Sequence, residues 1–216
     1  MSKLKVAAYS VSLDGFGAGP NQSLENPLGV RGPELHGWAF KTRVFQETVF
    51  GNPGGGAENR DNEFAKRSFE RMGAWIMGRN MFSPFRGPFA ANPDWKGWWG
   101  DNPPYHVPVF VLTHHAREPL VMEGGTTFYF VTDGIESALK KAKEAAKGKD
   151  VRIGGGAATI RAYLKANLVD EMHLAYSPVF LGAGESLLSG INLSELGFKV
   201  AEKVLTEDAA HVVLKK

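Results

Sequence analysis

Three consecutive glycines, Gly154, Gly155 and Gly156, constrain the fold of this chain more than any other feature. They join an apolar strand predicted at residues 151–153 to an amphipathic helix predicted at residues 157–167. Glycine lets a backbone approach a ligand closely, and the first turn of a helix presents unpaired N–H groups with a partial positive charge. The run therefore predicts either a phosphate-binding turn or a tight strand-to-helix turn that binds nothing.

The motif around these glycines excludes two large classes of nucleotide-binding protein. Its spacing does not match the dinucleotide fingerprint G-x-G-x-x-G, and no Lys-Ser or Lys-Thr pair follows the glycines as in a P-loop. Ala157 opens the helix, and Thr159 adds a hydroxyl to its first turn. A kinase or an ATPase is therefore not expected, whereas a phosphate site of another kind stays open.

Strands and helices alternate along most of the chain. Runs rich in apolar and β-branched residues predict strands, and apolar residues at helical spacing predict helices. The last two strand candidates, at residues 198–205 and 210–214, stand in hairpin order. This order predicts an α/β fold with a central, mostly parallel mixed sheet, flanking helices and a C-terminal antiparallel hairpin. The other predicted strands lie at residues 4–13, 75–77, 109–112, 127–131, 172–176 and 179–181, and the other helices at residues 34–49, 64–72 (ended by Gly73) and 135–146.

Two segments rich in glycine and proline are not expected to form regular structure. Residues 51–56 are predicted to be a surface loop. Residues 83–108 form a long excursion with six prolines and with Trp95, Trp98 and Trp99. Loops of this length inside a compact domain are usually functional or lie at a subunit contact, so the excursion predicts a lid or a contact in a homodimer.

The composition excludes several kinds of chemistry and partner. The chain has no cysteine, which rules out thiol nucleophiles, thiolate metal sites and disulfides. Its 25 basic and 23 acidic residues are scattered, without the basic stripe typical of nucleic-acid binding. No run of 18 apolar residues and no secretory leader is recognisable, so we expect a cytoplasmic protein without a membrane span. We expect residues 1–216 to form a single domain large enough to bury its own core.

Two further strand ends carry hydrogen-bond donors and positive charge. Ligands of open α/β sheets bind outside the carboxyl ends of strands. The arginine fork matches the geometry of a phosphate group, such as the 2′-phosphate of a nucleotide. Ordinary surface charge is the alternative interpretation of each arginine. The residues are Gly78, Arg79 and Asn80 after the second strand, and Thr113, His114, His115 and Arg117 after the third.

Metal binding and nucleophilic hydrolysis are not expected. The adjacent His114 and His115 are accompanied by no H-E-x-x-H pattern, and adjacent residues of a strand or turn point in different directions. Ser10, Ser12 and Ser177 do not lie in a G-x-S-x-G elbow.

The order of four motifs resembles the dihydrofolate reductase-like superfamily. These motifs are S-L-D-G after the first strand, I-M-G-R after the second, V-L-T after the third and G-G-G-A-A-T at the glycine turn. The downstream stretch L-V-D-E-M-H-L-A-Y-S-P-V-F-L-G-A-G-E-S-L-L is similar to a signature of the riboflavin-biosynthesis reductase domain, the RibD C-terminal family. The resemblance spans nearly the whole chain, and the order of the motifs makes it more specific than any motif alone.

The resemblance implies an NADPH-dependent oxidoreductase and gives each motif a place around the cofactor. The adenosine phosphate side would be formed by Gly78, Arg79 and Asn80, and the 2′-phosphate and adenine would lie beside Thr113 and His114. The pyrophosphate would be held by Gly154, Gly155, Gly156, Ala157 and Thr159. Ala8 would lie at the edge of the nicotinamide, and Asp14 and Gly15 would start the loop that covers it.

The implied reaction is the reduction of a C=N or C=O group in a small planar heterocycle or a sugar imine. It would resemble that of 5-amino-6-(5-phosphoribosylamino)uracil reductase or of dihydrofolate reductase. Asp14 and Glu34 are candidate proton donors, with a bound water as the alternative, and Glu34 does not align clearly with the acid of folate reductases. Basic residues near Glu34 are candidates for a ribose phosphate by proximity alone: Arg31, Lys41 and Arg43.

The resemblance also leaves the substrate open. The zinc-dependent deaminase domain that accompanies riboflavin-pathway reductases is absent from this sequence, so we expect a stand-alone member whose substrate can differ. The alternative interpretation is a non-catalytic, dimeric nucleotide-binding module. The excursion and the family both favour a homodimer.

Overall fold

Nine strands form a single mixed sheet within residues 2–216, the part of the chain that the computed structural model describes. The strands are β1 (Leu4–Ser12), β2 (Met72–Gly78), β3 (Pro108–Leu112), β4 (Leu120–Val121), β5 (Thr127–Val131), β6 (Asp150–Gly155), β7 (Glu171–Ser177), β8 (Lys199–Leu205) and β9 (Ala210–Lys215). Their order across the sheet is β4-β5-β3-β2-β6-β1-β7-β9-β8.

The central part of the sheet is parallel and its two edges are antiparallel. β5, β3, β2, β6, β1 and β7 all run in the same direction. The short β4 pairs antiparallel with β5 at one edge, and β9 and β8 continue antiparallel from β7 at the other. The predicted fold class, a mostly parallel α/β sheet that ends in an antiparallel hairpin, is thereby confirmed.

Helices cover both faces of the sheet. The helices are α1 (Gly37–Phe40), α2 (Arg43–Thr48), α3 (Arg60–Arg67), α4 (Arg79–Phe82), α5 (Ile135–Ala145) and α6 (Ala157–Lys165), with short 3-10 turns at Gly32–His36, Phe89–Ala91 and Glu123–Gly125. The main core lies between the sheet and α5 and α6. On the opposite face, α1 and α3 pack over β7 and β9, and the excursion packs over β2 and β3.

β2 shows how one strand serves both layers. Ala74 and Ile76 point into the core under α5 and α6, and Trp75 and Met77 point into the cluster beneath the excursion. All seven residues of this strand are buried. A parallel strand covered on both faces needs a continuous apolar run rather than an alternating one, as the sequence of β2 provides.

The helix predicted at residues 64–72 ends earlier than its sequence suggested. α3 ends at Arg67, and Met72 and Gly73 already belong to β2. A Cβ atom on Gly73 would lie 2.6 Å from the carbonyl oxygen of Ala146, at the end of α5. Gly73 is thus required by the close approach of two backbones, and its interpretation as a helix terminator was wrong.

The strand predicted at residues 179–181 is also absent. The Val179 N–H bonds back to the carbonyl of Ser177 at 2.7 Å, across Pro178, and the segment continues as a loop. Proline cannot donate to a sheet ladder, which explains why β7 ends at Ser177, directly before Pro178. The helix predicted at residues 34–49 is divided into a 3-10 turn, α1 and α2.

No helix among the described residues has the length and apolar character that a membrane span requires.

Candidate functional site

The sheet opens between β1 and β6, two of its central strands. Their pairing ends where Val6 faces Ile153. Beyond that point β1 continues along β7, and β6 continues along β2. The backbone edges of residues 7–9 and 154–156 are therefore not paired with each other at the carboxyl ends of the strands, and we call this opening in the ladder the cleft. Open α/β sheets bind ligands at this kind of position.

Ala8 lies at a bulge of β1 on the edge of the cleft. The register of β1 against β7 shifts between Val6 and Tyr9, and Ala8 has a φ of 49°. This left-handed conformation costs a non-glycine residue roughly 1–2 kcal/mol. The Ala8 N–H donates to Nδ1 of His173 on β7 at 3.2 Å. Ala7, Ala8 and Tyr9 are only half-buried although β1 is a central strand, which agrees with an open cleft beside them.

The three glycines of the turn meet different surroundings. A Cβ atom on Gly154 would lie 3.1 Å from both Trp75 and Met81, and Gly155 has a φ of 133° that other residues rarely adopt. Gly156 is exposed, its φ is −77°, and a Cβ atom there would meet nothing within 4 Å. The peptide bond that joins Gly155 to Gly156 is cis. The fold alone thus explains two of the glycines, whereas open space lies in front of the third.

Two of the predicted motifs meet where β2 ends and α6 begins. A Cβ atom on Gly78 would overlap Oγ1 of Thr159, so the hydroxyl reaches this position only because residue 78 is glycine. Ala157 is buried at the first position of α6. The structure therefore places the second strand end directly against the glycine turn.

Arg79 follows Gly78 and is half-buried under the excursion. Its guanidinium carbon lies 3.5 Å from the ring centre of Phe89, and Nη2 donates to two carbonyl oxygens of the excursion. Nε and Nη1 are buried, and no described residue accepts their protons. Burial lowers the pKa of Arg79, and the nearby charges of Arg117 and Arg86 lower it further. A desolvated cation with free donors and cationic neighbours suits an anionic ligand.

The remaining predicted residues at these strand ends differ in exposure. Asn80 is exposed, and its amide oxygen accepts a hydrogen bond from Arg86. Thr113 is buried at the end of β3, where its Oγ1 accepts from the N–H of His115 at 3.1 Å. His114 is exposed. Because β3, β2 and β6 are adjacent in the sheet, these ends form one continuous edge with the cleft.

Asp14 is tied to a loop on the far side of β7. Its two carboxylate oxygens accept from the N–H groups of Leu181 at 3.1 Å and Gly182 at 2.6 Å. The Ser12 hydroxyl and these backbone N–H groups lower the pKa of this exposed carboxyl group. Gly15 follows with a φ of 90°, as the turn after β1 requires. Asp14 therefore holds a loop in place, and its ionised form is favoured.

Glu34 forms a two-pronged ion pair with Arg31, in which both N–H···O distances are 2.8 Å. The hydrogen bonds and charge of Arg31 lower the pKa of Glu34. A proton donor at neutral pH needs the opposite shift. The other two basic residues predicted near a ribose phosphate also pair with carboxylates, Lys41 with Asp208 and Arg43 with Glu58.

His36 is a polar group near the cleft that the sequence analysis did not select. Ser10, two residues beyond Ala8 on β1, accepts from Nε1 of Trp38 at 2.9 Å. The Ser10 hydroxyl is then free to donate to Nδ1 of His36, 3.2 Å away. This arrangement leaves Nε2 as the protonated nitrogen, and burial lowers the pKa of His36 to about 4. The ring stacks on Phe40 with centres 5.7 Å apart. His36 is thus a neutral donor beside an aromatic surface.

The parallel core of the sheet, the antiparallel hairpin after it and the glycine turn beside the cleft define a dihydrofolate reductase-like α/β protein. The chain belongs to the RibD C-terminal domain family, whose model matches residues 5–214.

Solved structures share this fold over all or nearly all of the chain. A candidate riboflavin biosynthesis protein of Shewanella sp. PV-4 aligns with a TM-score of 0.59 and 21% identity, over 100% of this chain and 98% of that one. A pyrimidine reductase-like protein of Corynebacterium diphtheriae aligns with a TM-score of 0.50 and 11% identity, over 99% and 91%. At these identities the likeness establishes the fold.

A third structure is a longer protein with two named activities. It is the diaminohydroxyphosphoribosylaminopyrimidine deaminase/5-amino-6-(5-phosphoribosylamino)uracil reductase of Thermotoga maritima, with a TM-score of 0.51 and 16% identity. The present chain is covered completely and spans 56% of that protein. Among curated sequences, the uncharacterised protein YyaP of Bacillus subtilis strain 168 is 40% identical over 58 residues, which are 27% of this chain and 30% of YyaP.

Proposed function

We propose that this protein is an NADPH-dependent reductase that acts on a C=N or C=O group of a small planar heterocycle. The observation that carries the proposal is the cleft between β1 and β6, with the open space at Gly156 in front of the first turn of α6. That space lies where backbone N–H groups and the helix dipole favour a phosphate. Membership of a reductase family supports the same conclusion.

The residues present fit such a dinucleotide. Gly156 and the first turn of α6, with Thr159, would hold the pyrophosphate, and the unsatisfied Nε and Nη1 of Arg79 would hold the 2′-phosphate. Ala8 would border the nicotinamide. The cofactor supplies the hydride when it is bound, and the protein orients the two reactants and excludes water from between them.

The substrate side is built from the segment after β1. Phe40, which stacks on His36, also contacts Phe45 and Phe50, and these partly exposed rings suit a planar heterocycle. His36 would donate its Nε2 proton as a hydrogen bond to an acceptor atom of that ring system. Since Asp14 and Glu34 are held in other interactions, a water molecule is the better proposal for the proton source.

The function is tested by titrating the protein with NADPH, NADP⁺ and NADH while tryptophan fluorescence is followed. We expect saturable quenching with the tightest binding for NADPH. Loss of nicotinamide absorbance is then measured with pyrimidine, pteridine and sugar-imine substrates. Absence of any saturable signal with NADPH would refute the proposal at its first step.

A non-catalytic nucleotide-binding module is the second candidate function. The observation in its favour is that neither carboxyl group selected from the sequence is available as an acid, because Asp14 caps a loop and Glu34 pairs with Arg31. It predicts the same binding curves, but no oxidation of NADPH with any substrate.

Replacing Arg79 with alanine should weaken NADPH binding about tenfold and NADH binding less than twofold, because one charge-assisted hydrogen-bonding group for the 2′-phosphate is lost. Isothermal titration with both cofactors measures the difference. The control is Trp95→Phe, which removes the 2.9 Å bond from Trp95 to the Phe82 carbonyl and loosens the excursion without a change in charge. Equal losses for NADPH and NADH in R79A would contradict the assignment.

A homodimer and a cytoplasmic location remain proposals for this chain. Trp95 makes its contacts within the protomer, since its indole donates to the Phe82 carbonyl and packs against Trp98. Trp99, by contrast, is 45% exposed and is the tryptophan of the excursion more open to a second subunit. Light scattering of the purified protein measures the oligomeric state directly.

A further inference from the structure

A continuous chain of hydrogen bonds runs from Ala8 at the cleft to a buried carboxylate. The Ala8 N–H lies 3.2 Å from Nδ1 of His173, and Nε2 of His173 lies 3.0 Å from Nδ1 of His211. Nε2 of His211 lies 2.7 Å from Oδ1 of Asp61, which also accepts from the Thr206 hydroxyl at 2.7 Å. The chain thus crosses from β1 through β7 and β9 to α3.

The direction of every bond in this chain follows from its first donor. The Ala8 N–H can only donate, so Nδ1 of His173 is the acceptor and Nε2 carries the proton. The same step repeats at His211, whose Nε2 proton then points at Asp61. Both imidazoles are neutral in this arrangement, and the first turn of α3 stabilises the charge of the carboxylate.

The surroundings keep both histidines uncharged and shielded from solvent. Phe64 stacks on His211 with ring centres 4.2 Å apart and on His173 at 4.9 Å, and Trp38 packs edge-on against both. Asp61, His173 and His211 are all buried. Burial lowers the pKa of His173 to about 3, with contributions from His211 and from the cations that face this cluster, Arg152 and Arg67. Burial also lowers the pKa of His211, against the opposing effect of Asp61 and Glu202.

The bulge at Ala8 needs this support. Its φ of 49° is unfavourable for alanine, and a central strand that leaves its ladder exposes an N–H group that must bond elsewhere. His173 takes that bond, and the charge of Asp61 strengthens it through His211 because hydrogen bonds in a chain polarise one another.

We propose that His173, backed by His211 and Asp61, is a positioning residue that fixes the Ala8 bulge and thereby the wall of the cleft against which the nicotinamide ring lies. This inference rests on the proposed function. In this role the hydrogen-bonded chain from Ala8 to Asp61 transfers no proton to the substrate. The three side chains act on the cofactor only through the Ala8 backbone.

The test compares two ligands that differ only in the nicotinamide ring, NADPH and 2′-phospho-ADP-ribose. His173→Leu removes the acceptor for the Ala8 N–H, and His173→Asn retains one, since the Asn oxygen takes the place of Nδ1. We expect H173L to weaken NADPH about tenfold, as for the loss of one buried hydrogen bond, and to leave 2′-phospho-ADP-ribose within twofold. H173N should recover most of the NADPH affinity. Val213→Ala, at the position on β9 that faces His173, is the matched control and should not separate the ligands.

An H173L variant that weakens both ligands equally, or neither, would overturn the proposal. Wild-type protein that binds neither ligand would refute the proposed function and this role with it. If H173L does not fold, ¹⁵N spectra of the wild-type histidines decide. The chain requires neutral rings protonated at Nε2 for both His173 and His211 at pH 7. A protonated Nδ1 on either residue would show that the chain does not exist.

Discussion

Gly156→Val should reduce NADPH binding by about a hundredfold or more, because the added side chain occupies the open space in front of α6. The fold should tolerate the change. The backbone at residue 156 has an ordinary extended conformation, and nothing lies within 4 Å of the new Cβ atom. We expect a loss of at most about 1 kcal/mol in the free energy of unfolding, the cost of a poorer N-cap residue. Titration calorimetry and urea unfolding measure the two effects.

Two control variants distinguish a blocked phosphate site from a damaged fold. Ala166→Val adds similar bulk at the other end of α6, on an exposed residue, and should leave NADPH binding unchanged. Gly155→Ala should destabilise the fold more than G156V does and lower the melting temperature, because a φ of 133° strains any side chain. If G156V bound NADPH like the wild type, the pyrophosphate would have to lie elsewhere.

Lowering the pH from 8 to 5 should cost the protein about 4 kcal/mol of unfolding free energy through His36 and His173 alone, and His211, whose pKa burial also lowers, adds to that loss. His36 and His173 have native pKa values lowered to about 4 and about 3 from an ordinary 6.5. Below pH 6.5 these histidines bind protons in the unfolded chain but stay unprotonated in the native protein. The free energy of unfolding therefore falls as the pH falls, and the loss is complete only below the native pKa values. At pH 5 each residue contributes about 2 kcal/mol to the loss. That sum is a large share of the stability of an ordinary domain.

Urea unfolding at pH 8 and pH 5 measures this dependence. His36→Gln should flatten the difference by about 2 kcal/mol, since it removes one buried titrating group. His114→Asn changes an exposed histidine and should leave the difference as it is. An unchanged difference in H36Q would mean that His36 is accessible to protons in the folded protein.

The sequence predicted the strands well where local pattern and tertiary role coincide. The strand at residues 127–131 and the helix from Ile135 follow from composition, because a buried strand and an amphipathic helix carry their signal in every residue. Gly73 was misinterpreted as the end of a helix, because the reason for this glycine is not local. Its glycine is dictated by Ala146, 73 residues away along the chain, and no local pattern contains that contact.

Some residues of the candidate site could likewise be predicted from local sequence patterns, and others could not. Gly78, Thr159 and the glycine turn could be predicted to lie together, because the carboxyl ends of adjacent parallel strands meet at one edge. The chain from Ala8 to Asp61 could not. It joins residues from four separate elements, and a lone histidine in a strand is ordinarily a core residue. Only the backbone conformation of Ala8 shows why one is needed.

The excursion over β2 and β3 is fastened by two arginines that border the same edge as the cleft. Arg79 donates to the carbonyls of Phe85 and Gly87, and Arg117 donates to those of Pro93 and Trp95. A phosphate that drew on the free nitrogens of Arg79 would immobilise the guanidinium and so strengthen its hold on the excursion. By reciprocity, any partner that binds only the freed excursion would weaken that phosphate site by the same factor. The resistance of the excursion to proteolysis therefore reports how much of the protein has cofactor bound.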